Sequence, residues 1–342
     1  MAITAVNLDD RENLLLAARM THDNQTIKVA EVLNETNDVI ADAITQRAND
    51  ITSHVIARRT RLPAVNWVKV GNGWNATTGL LNQVREQMGM LKARFLAPED
   101  VMRIQANPAM YRANQERAYI ESMGQEFSNT FFGNWAAGSL SPAVEPPEEF
   151  AGLSLRYNTL STAQSSYVIS NGNTAGNDNT SIWFVQWAMD KIYTIFPRNT
   201  VGGGIKKQDM GLVYTLGDNA SATASQRNNQ LWAFISEFSW DIGICIEDTR
   251  AVKRLCNIDT VRGQTFTLNE DFIIQIKNNF RGNETVFMYV NETVFTQLEI
   301  LAKDKANVRW ESNTPFGESQ LMFGPMPVRR SDAITDVEGI IA

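Results

Sequence analysis

Phe131-Phe132-Gly133-Asn134, a break at Pro142, Pro146 and Pro147, then Glu148-Glu149-Phe150-Ala151-Gly152-Leu153 and Arg156-Tyr157: this stretch decides how the chain is read. Upstream of it, Asn107-Pro108 opens a long apolar periodicity. Met110, Ala113, Ile120, Met123, Phe127 and Phe131 recur at spacings of three, four or seven, which predicts an amphipathic helix from Pro108 to Phe132. Such a helix would be about 37 Å long at 1.5 Å per residue. Glu116, Arg117, Glu121 and Glu126 fall on its other side. The prolines then stop it, and Ser139 to Glu149 reads as the clearest break in the chain.

Before the long helix, three short helical stretches are expected, at residues 8 to 20, 28 to 35, and from Asn37 or Asp38 through Ile44. The pattern then changes. Residues 51 to 60 and 64 to 70 read as two strands joined by a turn at Arg61 to Pro63, ended by Gly71-Asn72-Gly73. A ribbon of two strands is marginal alone and needs a partner surface. Residues 78 to 96 carry Leu80, Leu81, Val84, Met88, Leu91 and Phe95 at helical spacing. Pro98-Glu99-Asp100 opens another short helix.

Beyond the break lies a polar loop at residues 170 to 180. Ile182 to Met189 follows as a strand apolar on both faces, inside a sheet covered on both sides. Lys191 to Phe196 is its expected hairpin partner. Gly202 to Gly204 and Gly217 to Asn229 read as loops. Leu231 to Ile246 is a long strand with Trp232, Phe234, Phe238 and Trp240 on one face and Glu237, Ser239 and Asp241 on the other. Helices are expected at 247 to 257, 269 to 280 and 292 to 304. A short strand is expected at Val286 to Val290, and extended chain from 307 to 330. Separated blocks of helix and strand make the fold class α+β.

The bulk numbers exclude whole classes. With 342 residues, 43% hydrophobic and 20% charged, the chain is an ordinary globular one with room for one large domain or two to three smaller ones. A net charge of −7 argues against a protein that grips nucleic acid along its backbone. Met1 to Asp10 has no secretory signal, and no stretch approaches a membrane span. Cys245 and Cys256 read as reduced thiols.

No motif carries chemistry. Gly71-x-Gly73 has Ala76 where a dinucleotide loop needs glycine, and Gly202-Gly203-Gly204-Ile205-Lys206-Lys207 lacks the Gly-Lys-Ser/Thr of a phosphate loop. His22 and His54 have no ligand spacing, and no Gly-x-Ser-x-Gly elbow occurs. Asp9-Asp10 and Glu148-Glu149 are adjacent and diverge. No catalytic, cofactor-binding or metal residue is expected, and no cofactor. The sharpest charge feature is Arg58, Arg59 and Arg61, either a contact onto an acidic neighbouring subunit or a solvated strand face. Trp67 and Trp74 join these arginines as candidate inter-subunit contacts.

An ordered set of residues carries a resemblance over about residues 35 to 330. It runs through Asn49, His54, Arg59, Leu62-Pro63-Ala64-Val65, Asn72-Gly73, Gln83-Val84-Arg85-Glu86, Tyr111-Arg112, Glu116 and Gln125. It continues through the stretch quoted first, Asn179-Thr180-Ser181-Ile182-Trp183, Trp240-Asp241-Ile242-Gly243, Arg250, Arg254 and Asn257-Ile258-Asp259. The set resembles the major capsid proteins of short-tailed double-stranded DNA bacteriophages. The resemblance implies a Hong Kong 97-like capsid fold, with the chain order of its parts left open because some relatives are rewired. It implies an N-terminal arm at 1–45, an extended two-stranded loop at 46–76, and a peripheral domain at 77–175 with its spine helix at 108–132. An axial domain at 176–260 and a return to the core at 261–342 would complete it. It further implies hexamers and pentamers tiling an icosahedral head, with scaffolding, portal and decoration or cement proteins as partners. Packaged DNA would be touched only weakly, no membrane would be involved, and the location would be the virion after synthesis in the host cytoplasm. On the residues alone, a tail or connector component and an enzyme with a spatially assembled site stay open.

Overall fold

The computed structural model describes residues 21–22, 25–26, 38–133, 148–160, 167–174, 176, 178–200, 202–216, 230–261, 267–304, 308–312 and 319–341. The expected helices at 8 to 20 and 28 to 35, most of the break at 139 to 149 and the loop at 217 to 229 lie outside the described residues. Two compact units are formed, one from residues 1–34, 90–126 and 204–240, the other from 35–89, 127–203 and 241–342. Among the described residues the first two strands, β1 (Thr21–His22) and β2 (Gln25–Thr26), pair only with each other.

The second unit is built on a seven-stranded sheet. Its strands in chain order are β6 (Val168–Ser170), β7 (Asn179–Val185), β11 (Val252–Asp259), β12 (Phe287–Val290), β13 (Val308–Ser312), β14 (Ser319–Phe323) and β15 (Met326–Arg330). The spatial order is β13-β14-β15-β12-β7-β11-β6. Every residue of β7 is buried, as a strand with two covered faces requires. Ile182 and Phe184 point into a core with Ile273 and Ile276 of a helix at Glu270–Asn278 and Val294 and Leu298 of a helix at Glu292–Asp304. On the alternate face Trp183 meets Phe132 and Tyr157. Asn269 caps the first of these helices by accepting from the Asp271 N–H at 3.0 Å.

The stretch quoted first supplies that second face. The long helix runs Pro108–Phe132, as its periodicity predicts. Phe131 and Phe132 are buried at its end. Gly133 stops it in the left-handed region, φ 77°, where a glycine costs least. Gly152 then passes so close that a Cβ would lie 2.3 Å from the Thr130 carbonyl oxygen. Phe150 packs on Phe127, and the buried Tyr157 donates to the Thr249 carbonyl at 2.9 Å. Gly152→Ala should therefore destabilise the subunit by about 1–3 kcal/mol, read as a lowered midpoint in urea.

A second sheet contributes to this unit in the order β3-β8-β10-β5-β4, where β3 is Thr45–Arg47, β4 Ser53–Arg61, β5 Leu80–Pro98, β8 Ile192–Phe196 and β10 Gln230–Ile246. β4 and β5 pair antiparallel from Ser53↔Gln87 to Arg61↔Leu80. The first unit takes the outer parts of β5 and β10, β9 (Lys206–Leu216) and most of the long helix. There Phe238 stacks on Tyr119, and Tyr119 meets Phe95 edge-on. Ser236, Arg112 and Lys207 all bond Glu116.

Five expectations are corrected. Residues 78 to 96 are not a helix but most of the 19-residue strand β5. Residues 64 to 70 are not a strand, and β4 pairs with β5 instead. Lys191 to Phe196 does not form a hairpin with β7. β8 lies in the other sheet, paired with β3 and β10. Residues 247 to 257 are not a helix but a turn at Thr249–Ala251 followed by β11. The helix expected from Asn37 through Ile44 is a single turn, Val39–Asp42.

Candidate inter-subunit surface

β4 and β5 form a ribbon whose connecting loop, residues 62–79, has no regular structure. The loop still has a defined course. Thr77 Oγ1 donates to the Ala64 carbonyl at 2.8 Å, and the Asn72 N–H donates to the Lys69 carbonyl at 3.1 Å. Gly71, at φ 92°, makes the turn between them. Where the strands converge, a Cβ on Gly79 would lie 2.8 Å from the Arg61 carbonyl oxygen.

The loop is apolar and its side chains face solvent. Trp67 and Val70 are fully exposed, Val65 is 93% exposed, Trp74 79% and Leu62 73%. Isolated exposed apolar residues are normal; five on one loop set it apart from an ordinary surface. The charge is equally one-sided. Between Ile51 and Arg85 there are five cationic residues, Arg58, Arg59, Arg61, Lys69 and Arg85, and no carboxylate, in a chain of net −7.

The three arginines singled out from sequence occupy different environments. Arg59 and Arg61 are exposed. Arg58 is turned inward, bonded to Glu86 at 3.1 Å and to the Ile246 carbonyl. Glu86 is 4% exposed and is also held by Arg156 at 2.7 Å. A buried carboxylate between two guanidiniums is satisfied in full, so Arg58 braces the ribbon's root. Trp67 and Trp74 sit on the loop itself. His54, at the root, is buried and bonded to Tyr193. His22's side chain lies outside the described residues.

Beside the root, an open cleft of about 1010 Å³ is lined by Arg58, Arg59, Tyr167, Glu247, Asp248 and Arg250. Its Arg250 is held by Asp248 at 2.9 Å. Both thiols are buried and unpaired, and burial pushes Cys245 up to about 11 and Cys256 up to about 12. Among the described residues no three His, Cys, Asp or Glu are grouped to hold a metal ion, and no helix is long and apolar enough to cross a membrane.

Sequence reasoning named Glu86, Arg156 and Arg254 only as members of the resemblance set, and missed the pairing of Glu86 with Arg58 and Arg156 and of Arg254 with Glu338. The acid-free run from Ile51 to Arg85 was the one signal in the sequence that sets the ribbon apart by charge.

With its 25-residue helix and seven-stranded mixed sheet, the chain has the Hong Kong 97-like fold of phage capsid proteins. The chain superposes on a chain of the bacteriophage Epsilon15 structure with a TM-score of 0.71 at 24% identity, covering 100% of this chain and 99% of that one. Lower similarities are to the bacteriophage JBD30 capsid, TM-score 0.44 at 10% identity over 89% of this chain and 93% of that one. The capsid of the native GTA particle gives 0.43 at 9% identity over 70% and 95%. The model of the Major capsid protein GP7 family matches residues 21–342, and the chain belongs to that family. It is a major capsid protein of a bacteriophage, a structural subunit that assembles with itself into the icosahedral shell of the virion. No curated protein matches the chain.

Proposed function

We propose that the ribbon's loop, residues 62–79, is the segment by which each copy grips its neighbour in the hexamers and pentamers of the shell. The observation that carries this is the full exposure of Trp67 and Val70 on the loop, beside Val65, Trp74 and Leu62 at 73% or more. Burying each such side chain contributes about 1.5–3 kcal/mol, and five per copy, repeated around a ring, make a contact that is weak singly and strong collectively. Arg59, Arg61 and Lys69 add charge complementarity with a copy whose remaining surface is acidic.

In this reading the ribbon is the extended loop of the fold, the helix Pro108–Phe132 the spine of the peripheral domain, and the strands between 176 and 260 the axial domain. The subunit is synthesised in the bacterial cytoplasm, works without catalysis or cofactor, and meets scaffolding, portal and decoration proteins there and in the shell. Its negative charge supports only weak, non-specific contact with packaged DNA.

Charge reversal separates the loop's role from that of its brace. Arg59→Glu with Arg61→Glu should leave subunit stability within about 0.5 kcal/mol of wild type yet block shell formation in sedimentation and negative-stain images. Arg58→Glu sets a carboxylate against the buried Glu86 and should cost about 3 kcal/mol or more. Normal shells from the Arg59/Arg61 variant would overturn the reading.

A further inference from the structure

We propose that His54 is a proton-operated latch at the root of the ribbon: neutral, it fixes the turn at Asn49, and protonated, it releases it. The bonding pattern assigns the tautomer. The Asn49 N–H donates to His54 Nδ1 at 3.2 Å, so that nitrogen carries no proton. The ring's proton therefore sits on Nε2, which donates to Tyr193 Oη at 3.1 Å, and the Tyr193 hydroxyl donates to Glu247 Oε1 at 2.7 Å. The chain of donors runs in one direction, and the neutral imidazole is its middle link.

The turn that this link holds sets the start of β4. The Asn49 side chain pairs with both backbone groups of Val55, donating to its carbonyl at 2.7 Å and accepting from its N–H at 2.9 Å. Asp50 accepts from the Ile51 N–H at 2.8 Å. One residue on, Ile56 enters a small core with Tyr193, Ile195 and Cys245. A proton added at Nδ1 faces the Asn49 N–H donor head-on. That bond is lost, and the Asn49–Val55 pairing loses its anchor to β8.

Every neighbouring element contributes a group. Glu86 of β5 lies directly opposite His54 in register. Arg58 of β4 and Arg156 of the short helix Leu153–Arg156 hold Glu86. Tyr193 comes from β8, Cys245 from β10, and Glu247 from just beyond β10. Glu247 and Glu86 favour the imidazolium, but burial dominates and holds His54 below its ordinary 6.5. The unfolded or released chain therefore takes the proton first. The stability contributed by the neutral ring is complete above about pH 6.5 and is lost as pH falls below it.

Nothing in this switch depends on where the loop lands. Only its consequence for the shell, a loosened ribbon in acid, rests on the reading above. The test is hydrogen–deuterium exchange of the full chain, followed in peptides spanning residues 47–57 and corrected for intrinsic rates. Protection there should fall about tenfold between about pH 7.5 and about pH 5. Peptides from β7 should not change. His54→Asn keeps an acceptor near Asn49 and cannot be protonated, so its protection should be flat. Glu247→Gln removes one group favouring the imidazolium and should move the midpoint to lower pH, a shift that a merely structural His54 would not produce. Flat protection in the wild type, an undiminished response in His54→Asn, or an unmoved midpoint in Glu247→Gln would each overturn the proposal.

Discussion

Substituting Glu338 by alanine should destabilise the subunit by about 3–5 kcal/mol, the largest loss expected from any single change outside the apolar cores. The reason lies with its partner. Arg254 is fully buried on β11, its guanidinium 4.6 Å above the Trp183 ring. It bonds Ser181 Oγ at 2.9 Å and the Tyr157 carbonyl at 3.0 Å, and pairs with Glu338 at 3.1 Å. Glu338, itself buried, also accepts from Ser181. Burial pushes its carboxyl above the usual range, with Arg254 and Ser181 opposing. Removing the carboxylate leaves a buried cation without its counter-charge. The segment carrying Glu338 lies along the central sheet, where the Glu338 N–H donates to Asn179 at 2.8 Å and Asn257 brackets Ile341 with two bonds of 2.9 Å. Urea denaturation of unassembled subunits should show a lower midpoint with an unchanged slope. A Glu338→Ala subunit as stable as wild type would contradict this account of the pair.

The second large effect falls on assembly and spares the fold. Replacing Trp67 and Trp74 together by serine should leave the stability of the subunit within about 0.5 kcal/mol of wild type, because Trp67 is fully exposed and Trp74 79% exposed. Shell yield should fall by at least about tenfold, since each lost Trp removes about 1.5–3 kcal/mol from every copy-to-copy contact. Light scattering during assembly reads this directly. Equal yields would show that the exposed rings do nothing for the lattice.

How legible all this was in the sequence depends on what each residue faces. The two helices at 270–278 and 292–304 showed because each has one apolar side against one core. The long helix showed by its proline start and its run of helical spacing, although Met110, Ala113 and Ile120 of the expected apolar side are exposed and Glu116 of the other side is buried. β5 was hidden because its inward positions change phase. Val84, Glu86 and Met88 point in, then Leu91, Ala93, Phe95 and Ala97, so the apolar set Val84, Met88, Leu91, Phe95 falls at spacings of four, three and four, which imitates a helix. The buried Gly89 marks the change, and a Cβ there would lie 3.0 Å from the Glu148 carbonyl. β11 was hidden for another reason. It is buried throughout yet carries Lys253, Arg254 and Asn257, so neither alternation nor an unbroken apolar run announced it. Trp67 and Trp74 were visible as candidates because both fall in the short segment around Gly71-Asn72-Gly73, which is too polar and glycine-rich to build a core of its own. Glu86, Arg156 and Glu338 were not, since their partners come from far along the chain and only the folded sheets bring them together.

The most direct measurement is a cryo-EM map of the shell formed by this chain, resolved well enough to see the loop at residues 62–79. The account predicts Trp67, Val70 and Trp74 buried against a neighbouring copy in both hexamers and pentamers, with Arg59 and Arg61 beside carboxylates of that copy. Closed shells in which the loop projects free into solvent, or folds back onto its own subunit, would contradict it.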